Sequence, residues 1–160
     1  MKNPEKIREK KTDLPPFIHR RRVTFYETDQ MGVMHHSNHV RVFEEARVEW
    51  LRDRDLLNAK GESGDVVFAV VDIQVRYLRP LKFDEVIETY VEGRMQGAKV
   101  LFRYAIWSPQ QKTFAATGST TLVPLDNELR PVRLNPEARE KFSTEEWAEA
   151  WPPALTEAKL

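Results

Sequence analysis

Tyr26-Glu27-Thr28-Asp29-Gln30-Met31-Gly32-Val33-Met34-His35-His36-Ser37-Asn38-His39-Val40-Arg41-Val42-Phe43-Glu44-Glu45-Ala46-Arg47 is the stretch from which the fold follows. It closes a strand-like run on an acid, turns at a glycine and enters an amphipathic helix. Upstream, Val23 and Phe25 alternate with Thr24 and Tyr26, which suits a strand. Gly32 permits a sharp turn, and Ser37 or Asn38 suits a helix N-cap. From there to about Leu56 the pattern is helical. Val40, Phe43, Arg47, Trp50, Leu51 and Arg54 fall on one arc at about 100° per residue. Asn58-Ala59-Lys60-Gly61-Glu62-Ser63-Gly64 ends it as a loop.

Beyond that loop the hydrophobic period becomes two. Val71, Ile73, Val75 and Tyr77 share one face of a strand predicted over 66–78, with Asp72, Gln74 and Arg76 opposite. Residues 84–94 and 98–107 read as two further strands joined at Gln96-Gly97. Thr113–Val123 reads as a fourth, stopped by Pro124. Long antiparallel strands need cover on one face, and a single long helix is available to supply it. The economical solution is an α+β fold in which one antiparallel sheet wraps one long central helix.

The ends of the chain read differently. Residues 1–20 are predicted to be a charged N-terminal arm, mobile or loosely docked, which runs into the basic cluster Arg20-Arg21-Arg22. Residues 136–160 are predicted to be a C-terminal helical extension, in which Trp147 and Trp151, four apart, dock on the body or on a partner. Residues 21–135 remain as one domain, in keeping with a chain of 160 residues.

Composition excludes several function classes. The formal net charge is zero, so there is no global electrostatic case for nucleic acid or for a membrane surface. There is no cysteine, which removes disulfides, thiolate catalysis and cysteine–zinc sites. No apolar run approaches the roughly 18 residues of a spanning helix. No apolar signal segment stands at the N-terminus, so the expected location is the cytoplasm.

Asp29 is the candidate for chemistry. Beside the free N–H groups of a helix start near His36 and Ser37, its carboxylate can serve as nucleophile or as general base for water. The N–H groups can receive the oxygen of a polarised carbonyl. The competing role is structural, an Asx-type hydrogen bond within the turn, and spacing alone favours that role. His35 and His39, at i,i+4, suggest a metal pair, but no second ligand cluster accompanies them, so they read as cleft lining. Arg47 falls in the middle of the helix's apolar arc and Glu44 at its edge; three apart, they are expected to form a structural ion pair rather than to take part in catalysis.

Several blocks taken in order resemble one family. They are Tyr26-x-Thr28-Asp29-x-x-Gly32-Val33, His36-x-Asn38, Phe43-Glu44-x-Ala46-Arg47, Phe68-x-Val70-Val71, Tyr77-Leu78-Arg79-Pro80-Leu81, Asp84, Gly118-x-Thr120-x-Leu122-Val123-Pro124 and Arg130-Pro131-Val132. The set resembles the 4-hydroxybenzoyl-CoA thioesterase-like branch of the hotdog-fold acyl-CoA thioesterases, which includes the YbgC and FadM types. The resemblance implies a hotdog fold and homodimers or homotetramers with active sites at the subunit interface. It also implies hydrolysis of an acyl-CoA to a carboxylic acid and CoA, with no cofactor and no metal. Asp29 takes the catalytic carboxylate position and the His36 backbone N–H the carbonyl-polarising position. Tyr26, Gly32, Val33 and Asn38 shape the corner, and Glu44 approaches the acyl pocket. Arg79, Lys82, Ser119 and Thr120 are the candidates for the CoA arm. The resemblance reverses the balance at Asp29 toward catalysis. The sequence departs from the family at Glu27, where aspartate is common, and at His35 and His39, where tyrosines are common. The rival readings are a thioesterase acting on acyl-carrier protein and a non-catalytic hotdog module that binds acyl-CoA or a protein.

Overall fold

Period-two patterning becomes a single sheet. In the computed structural model, which describes residues 17–57, 67–144, 146, 147 and 151, the strands are β1 (Phe17–Arg22), β2 (Val67–Tyr77), β3 (Val86–Gln96), β4 (Lys99–Ser108) and β5 (Thr113–Leu125). All pairings are antiparallel and the order is β1-β3-β4-β5-β2. The helix α1 (His36–Asp53) packs on one face, and a short α2 (Pro136–Glu140) follows β5. This is the expected α+β architecture of a sheet around one long helix.

Two glycines let the helix lie directly on the sheet. The Phe43 ring stacks on Tyr104 of β4 at 4.6 Å between centroids, and Trp50 meets Phe102 edge-on at 5.1 Å. A Cβ on Gly118 would stand 2.5 Å from Phe43 Cε2, and one on Gly93 would stand 2.8 Å from Phe102 and 3.1 Å from Trp50. Around these contacts Val42, Ala46, Leu51, Val91, Val100 and Ile106 are buried. On the opposite face, Arg94 and Arg103 lie under the C-terminal tryptophans. The Arg103 guanidinium is 5.0 Å from the Trp147 ring and 4.6 Å from Trp151, and Arg94 is 4.9 Å from Trp147. Phe142, two residues past α2, enters the helix-side core against Trp50.

Several expectations shift. Val23–Tyr26 is not a strand. β1 ends at Arg22, and the Glu27 carboxylate accepts the Thr24 N–H at 2.8 Å, drawing Phe25–Glu27 into a 3-10 turn. Phe17–Arg20, expected in the arm, are part of β1 paired with β3; residues 1–16 of that arm lie outside the described residues, as does the loop 58–64. The N-cap is His35, and the buried arc of α1 turns toward Val42 and Ala46, leaving Val40 exposed. β5 continues through Pro124 to Leu125. Pro124 is tolerated because the pairing with β4 stops at Leu122, so the missing N–H costs no ladder bond on that side. In the C-terminal extension, α2 is the helix among the described residues, capped by the Asn135 side chain, which accepts the Ala138 N–H at 2.8 Å.

The contact at Gly118 makes a stability prediction. Gly118→Ala forces Phe43 or the Gln74 carbonyl to move, and overpacking of this kind costs roughly 1–3 kcal/mol. Urea unfolding should show a lower midpoint with an unchanged slope.

Candidate active site

The acid turn is a small closed loop. Thr28 bridges Met34, the Asp29 N–H donates to the Val33 carbonyl at 2.9 Å, and the Gly32 N–H donates to the Asp29 carbonyl at 2.9 Å. Gly32 has φ of +73°, a left-handed conformation that glycine adopts without penalty. Asp29 Oδ1 accepts the Met31 N–H at 2.8 Å. The structural role expected from spacing is therefore real, and it occupies one carboxylate oxygen. The return limb is pinned to the β2–β3 connection. Val33 bridges Lys82, and the Met34 N–H donates to the Leu81 carbonyl at 2.7 Å.

That limb leads straight into α1. The ring Nδ1 of the N-cap His35 accepts the Ser37 N–H at 3.3 Å, and the His35 carbonyl accepts from the Asn38 N–H at 2.9 Å. The His36 N–H, first in the helix, has no intrahelical acceptor by geometry and stands at the positive end of the helix dipole. Tyr77, at the end of β2, donates its hydroxyl to the His36 carbonyl at 3.1 Å. His39 meets Tyr77 edge-on at 4.9 Å and is buried. Burial pushes the His39 imidazole below its ordinary range, and the nearby carbonyls of His36 and His35 only partly oppose this, so the ring is neutral. His35 Nδ1 is engaged by Ser37 and the His39 ring is enclosed, and among the described residues no cluster of three or more His, Asp or Glu is placed to hold a metal.

Glu27 joins the turn to the helix. Its backbone carbonyl accepts both the His35 N–H and the Asn38 Nδ2–H, each at 2.8 Å. Its buried carboxylate accepts from the Thr24 N–H at 2.8 Å and from Arg21 Nη2 at 2.7 Å. Burial alone would raise this carboxyl, but the Thr24 N–H and the Arg21 guanidinium outweigh it and hold it below the usual carboxylate range. Arg21 Nη1 also reaches Glu45 on α1 at 3.1 Å, and His19 Nε2 lies 3.2 Å from the same carboxylate.

The structure brings Asp29, Gly32, Val33, His36 and Asn38 into one corner. Tyr26 belongs to the adjoining 3-10 turn with its ring exposed. Glu44 does not pair with Arg47. Glu44 is exposed, while buried Arg47 donates to the Tyr104 hydroxyl at 3.3 Å and to Thr120 Oγ1 at 3.5 Å. Thr120 is thereby held in the core with its hydroxyl 2.7 Å from that of Tyr104. Ser119, its neighbour along β5, points to the opposite face of the sheet. Arg79 and Lys82 are exposed on the β2–β3 connection, and Lys82 is next to Val33 of the acid turn. Arg21, Glu27 and Tyr77 were not singled out as site residues from the sequence. Arg21 stood within a run of three arginines, and only its inward register on β1 separates it from its exposed neighbours.

An antiparallel sheet wrapped on one long helix, with an acid turn linked to the helix start, has the architecture of the hotdog class. The chain belongs to the thioesterase-like superfamily, whose family model matches residues 23–151. Over 115 residues it is 32% identical to the putative acyl-CoA thioesterase YneP of Bacillus subtilis, covering 70% of this chain and 82% of that one. Over 76 residues it is 43% identical to a putative esterase of Aquifex aeolicus, a match that spans 48% of this chain and 59% of that one. The crystal structure of a hypothetical protein from Aquifex aeolicus superposes with a TM-score of 0.73 at 32% identity, covering 80% of this chain and all of that one (100%).

The lowered Glu27 carboxyl gives this site a pH signature. Its stabilising contribution is full above the ordinary glutamate value and is lost as pH falls through the lower folded value. The stability gap between wild type and Glu27→Gln, measured by urea unfolding, should be widest near neutral pH and should close in the acid range.

Proposed function

We propose that this protein is an acyl-CoA thioesterase, with Asp29 as its catalytic carboxylate and the His36 N–H as its oxyanion donor. The overall reaction takes an acyl-CoA and water to a carboxylic acid and CoA; the C–S bond breaks and the CoA sulfur leaves with a proton. The observation that carries the reading is the short hydrogen-bonded link between the Asp29 turn and the open start of α1. With Oδ1 engaged by the Met31 N–H, Oδ2 is the oxygen left for the chemistry. It either attacks the thioester carbon or takes a proton from the attacking water; label found on Asp29 after a single turnover in labelled water identifies attack, because it requires water to open an anhydride at the Asp29 carboxyl carbon. Exposed Arg79 and Lys82 suit the phosphates of the CoA arm.

The working form is proposed to be a dimer through β2. Among the described residues this strand is a free edge of the sheet, and it exposes Val67, Val70, Val71, Ile73 and Tyr77. A long apolar edge of this kind invites a second strand, and a second copy laid antiparallel satisfies the edge on both chains at once. Tyr77 on that strand touches the helix start, so the partner would also close the corner.

Two substitutions test the chemistry with the fold kept. Asp29→Asn retains an amide oxygen for the Met31 N–H and removes the charge, so thiol release should fall by about 10²–10⁴-fold. His36→Pro deletes the N–H at a helical position where proline is well tolerated, and His35 already has ψ of 139°, which suits a residue before proline. Its kcat should fall by about 10²–10³-fold with unchanged circular dichroism. Undiminished thiol release in either variant removes that residue from the mechanism. For the assembly, Ile73→Lys should yield a monomer in light scattering and lose most activity.

A further inference from the structure

We propose that Arg21 and Glu27 are positioning residues that set the alignment of the acid turn with the helix start, and so set kcat. The inference rests on the thioesterase reading above and extends it to two residues that touch neither substrate nor the reacting atoms.

The case is geometric. Glu27 is the residue through which the two halves of the corner meet. It stands two residues before Asp29, and its backbone carbonyl accepts two bonds from the helix start, from the His35 N–H and the Asn38 side chain, each at 2.8 Å. A rotation of Glu27 therefore displaces the N-cap and the acid turn together. Its side chain is what prevents that rotation. The carboxylate, 4% exposed, is held by the Thr24 N–H at 2.8 Å and by Arg21 Nη2 at 2.7 Å.

Arg21 carries the restraint to the scaffold. It is anchored on β1, which pairs with β3. Its second nitrogen, Nη1, reaches Glu45 two turns into α1 at 3.1 Å. One guanidinium fork thus ties the sheet, the acid turn and the helix to one another. A lysine ammonium is a point donor on a flexible stem and reproduces the contact with Glu27 without the fork. Removing Arg21 altogether leaves Glu27 a buried carboxylate with no cation, which is the costly arrangement; the carboxylate then turns outward and takes the carbonyl with it.

The test uses full-length Arg21→Met, Arg21→Lys and Glu27→Gln, with two readouts. The first is kcat and KM on an acyl-CoA, per folded molecule, with the folded fraction taken from urea unfolding. The second is hydrogen exchange of the His35 amide, whose acceptor is the Glu27 carbonyl. Arg21→Met and Glu27→Gln should lower kcat by about 10–100-fold with little change in KM, because misplacement acts on the reacting geometry and not on ground-state binding. The His35 amide should exchange about tenfold faster in both. Arg21→Lys should keep kcat closer to wild type than Arg21→Met does. A purely structural pair lowers the unfolding midpoint and leaves kcat per folded molecule unchanged, and that result overturns the proposal. So does unchanged exchange at His35, whatever happens to kcat. If the wild type releases no thiol from any acyl-CoA, the thioesterase reading fails, and the His35 exchange still decides whether Arg21 and Glu27 hold the helix start.

Discussion

The close approach of α1 to the sheet governs the rest of the structure, and it exists because two sheet positions carry no side chain. Phe43 presses where Gly118 leaves room and Trp50 where Gly93 does. Aromatic rings on the helix and gaps in the sheet form a two-point register, one on β5 and one on β3. A helix held at two points cannot slide or rotate far, since interiors packed to crystal-like density resist small displacements. Its first turn is thereby delivered to the β2–β3 connection, where Leu81 and Lys82 receive Met34 and Val33. The position of the acid turn and helix start follows from core packing many residues away.

Within that corner the division of labour between two acids is electrostatic. Glu27 and Asp29 stand two residues apart, Glu27 ending the 3-10 turn and Asp29 opening the acid turn. Glu27 is buried and compensated by Arg21, so its charge is spent on structure. Asp29 has no ion-pair partner among the described residues, and its turn runs through Val33 and Met34 into the helix start. Two like groups two residues apart are thus held in different surroundings, the pattern that can separate structural from reactive carboxylates. The neutral ring of His39 beneath the helix start adds no competing positive charge.

How much of this was legible in the sequence depends on range. The four long strands, the single helix and the Gly32 turn were readable because alternation, helical period and glycine act locally. The acid turn and helix start were also readable, being contiguous. What the sequence hid was long-range. Val23–Tyr26 has strand-like alternation, and only capture of the Thr24 N–H by Glu27 bends it away. Arg21 looked like one of three solvated arginines until the register of β1 turned it inward toward Glu27 and Glu45. Arg47 and Glu44 have pairing spacing, yet the Tyr104 and Thr120 hydroxyls, far along the chain, take the arginine. Thr120 fell in a matched motif and looked accessible, but strand alternation puts it in the core and Ser119 outside.

The distribution of bare apolar surface bears on the proposed assembly. On the outer face of the sheet the chain covers itself: Trp147 and Trp151 lie over Arg94 and Arg103, and Glu146 closes on Arg94 at 3.1 Å. The far edge is treated differently. β2 exposes apolar side chains on both of its faces, with a bulge at Val71 that twists but does not shield it. Phe25, Tyr26, Met31 and Phe83 extend the exposed apolar surface beside the acid turn. Two tryptophans and a salt bridge cover one face, whereas the eleven-residue edge strand next to the acid turn is not covered by any of the described residues, a surface suited to a second chain. Among the described residues Tyr26 and Met31 beside Asp29 are exposed, and an acyl group entering there would be better shielded from water by a second chain. Water exclusion strengthens every dipole aimed at the developing oxyanion, so the open edge and the proposed chemistry call for the same partner.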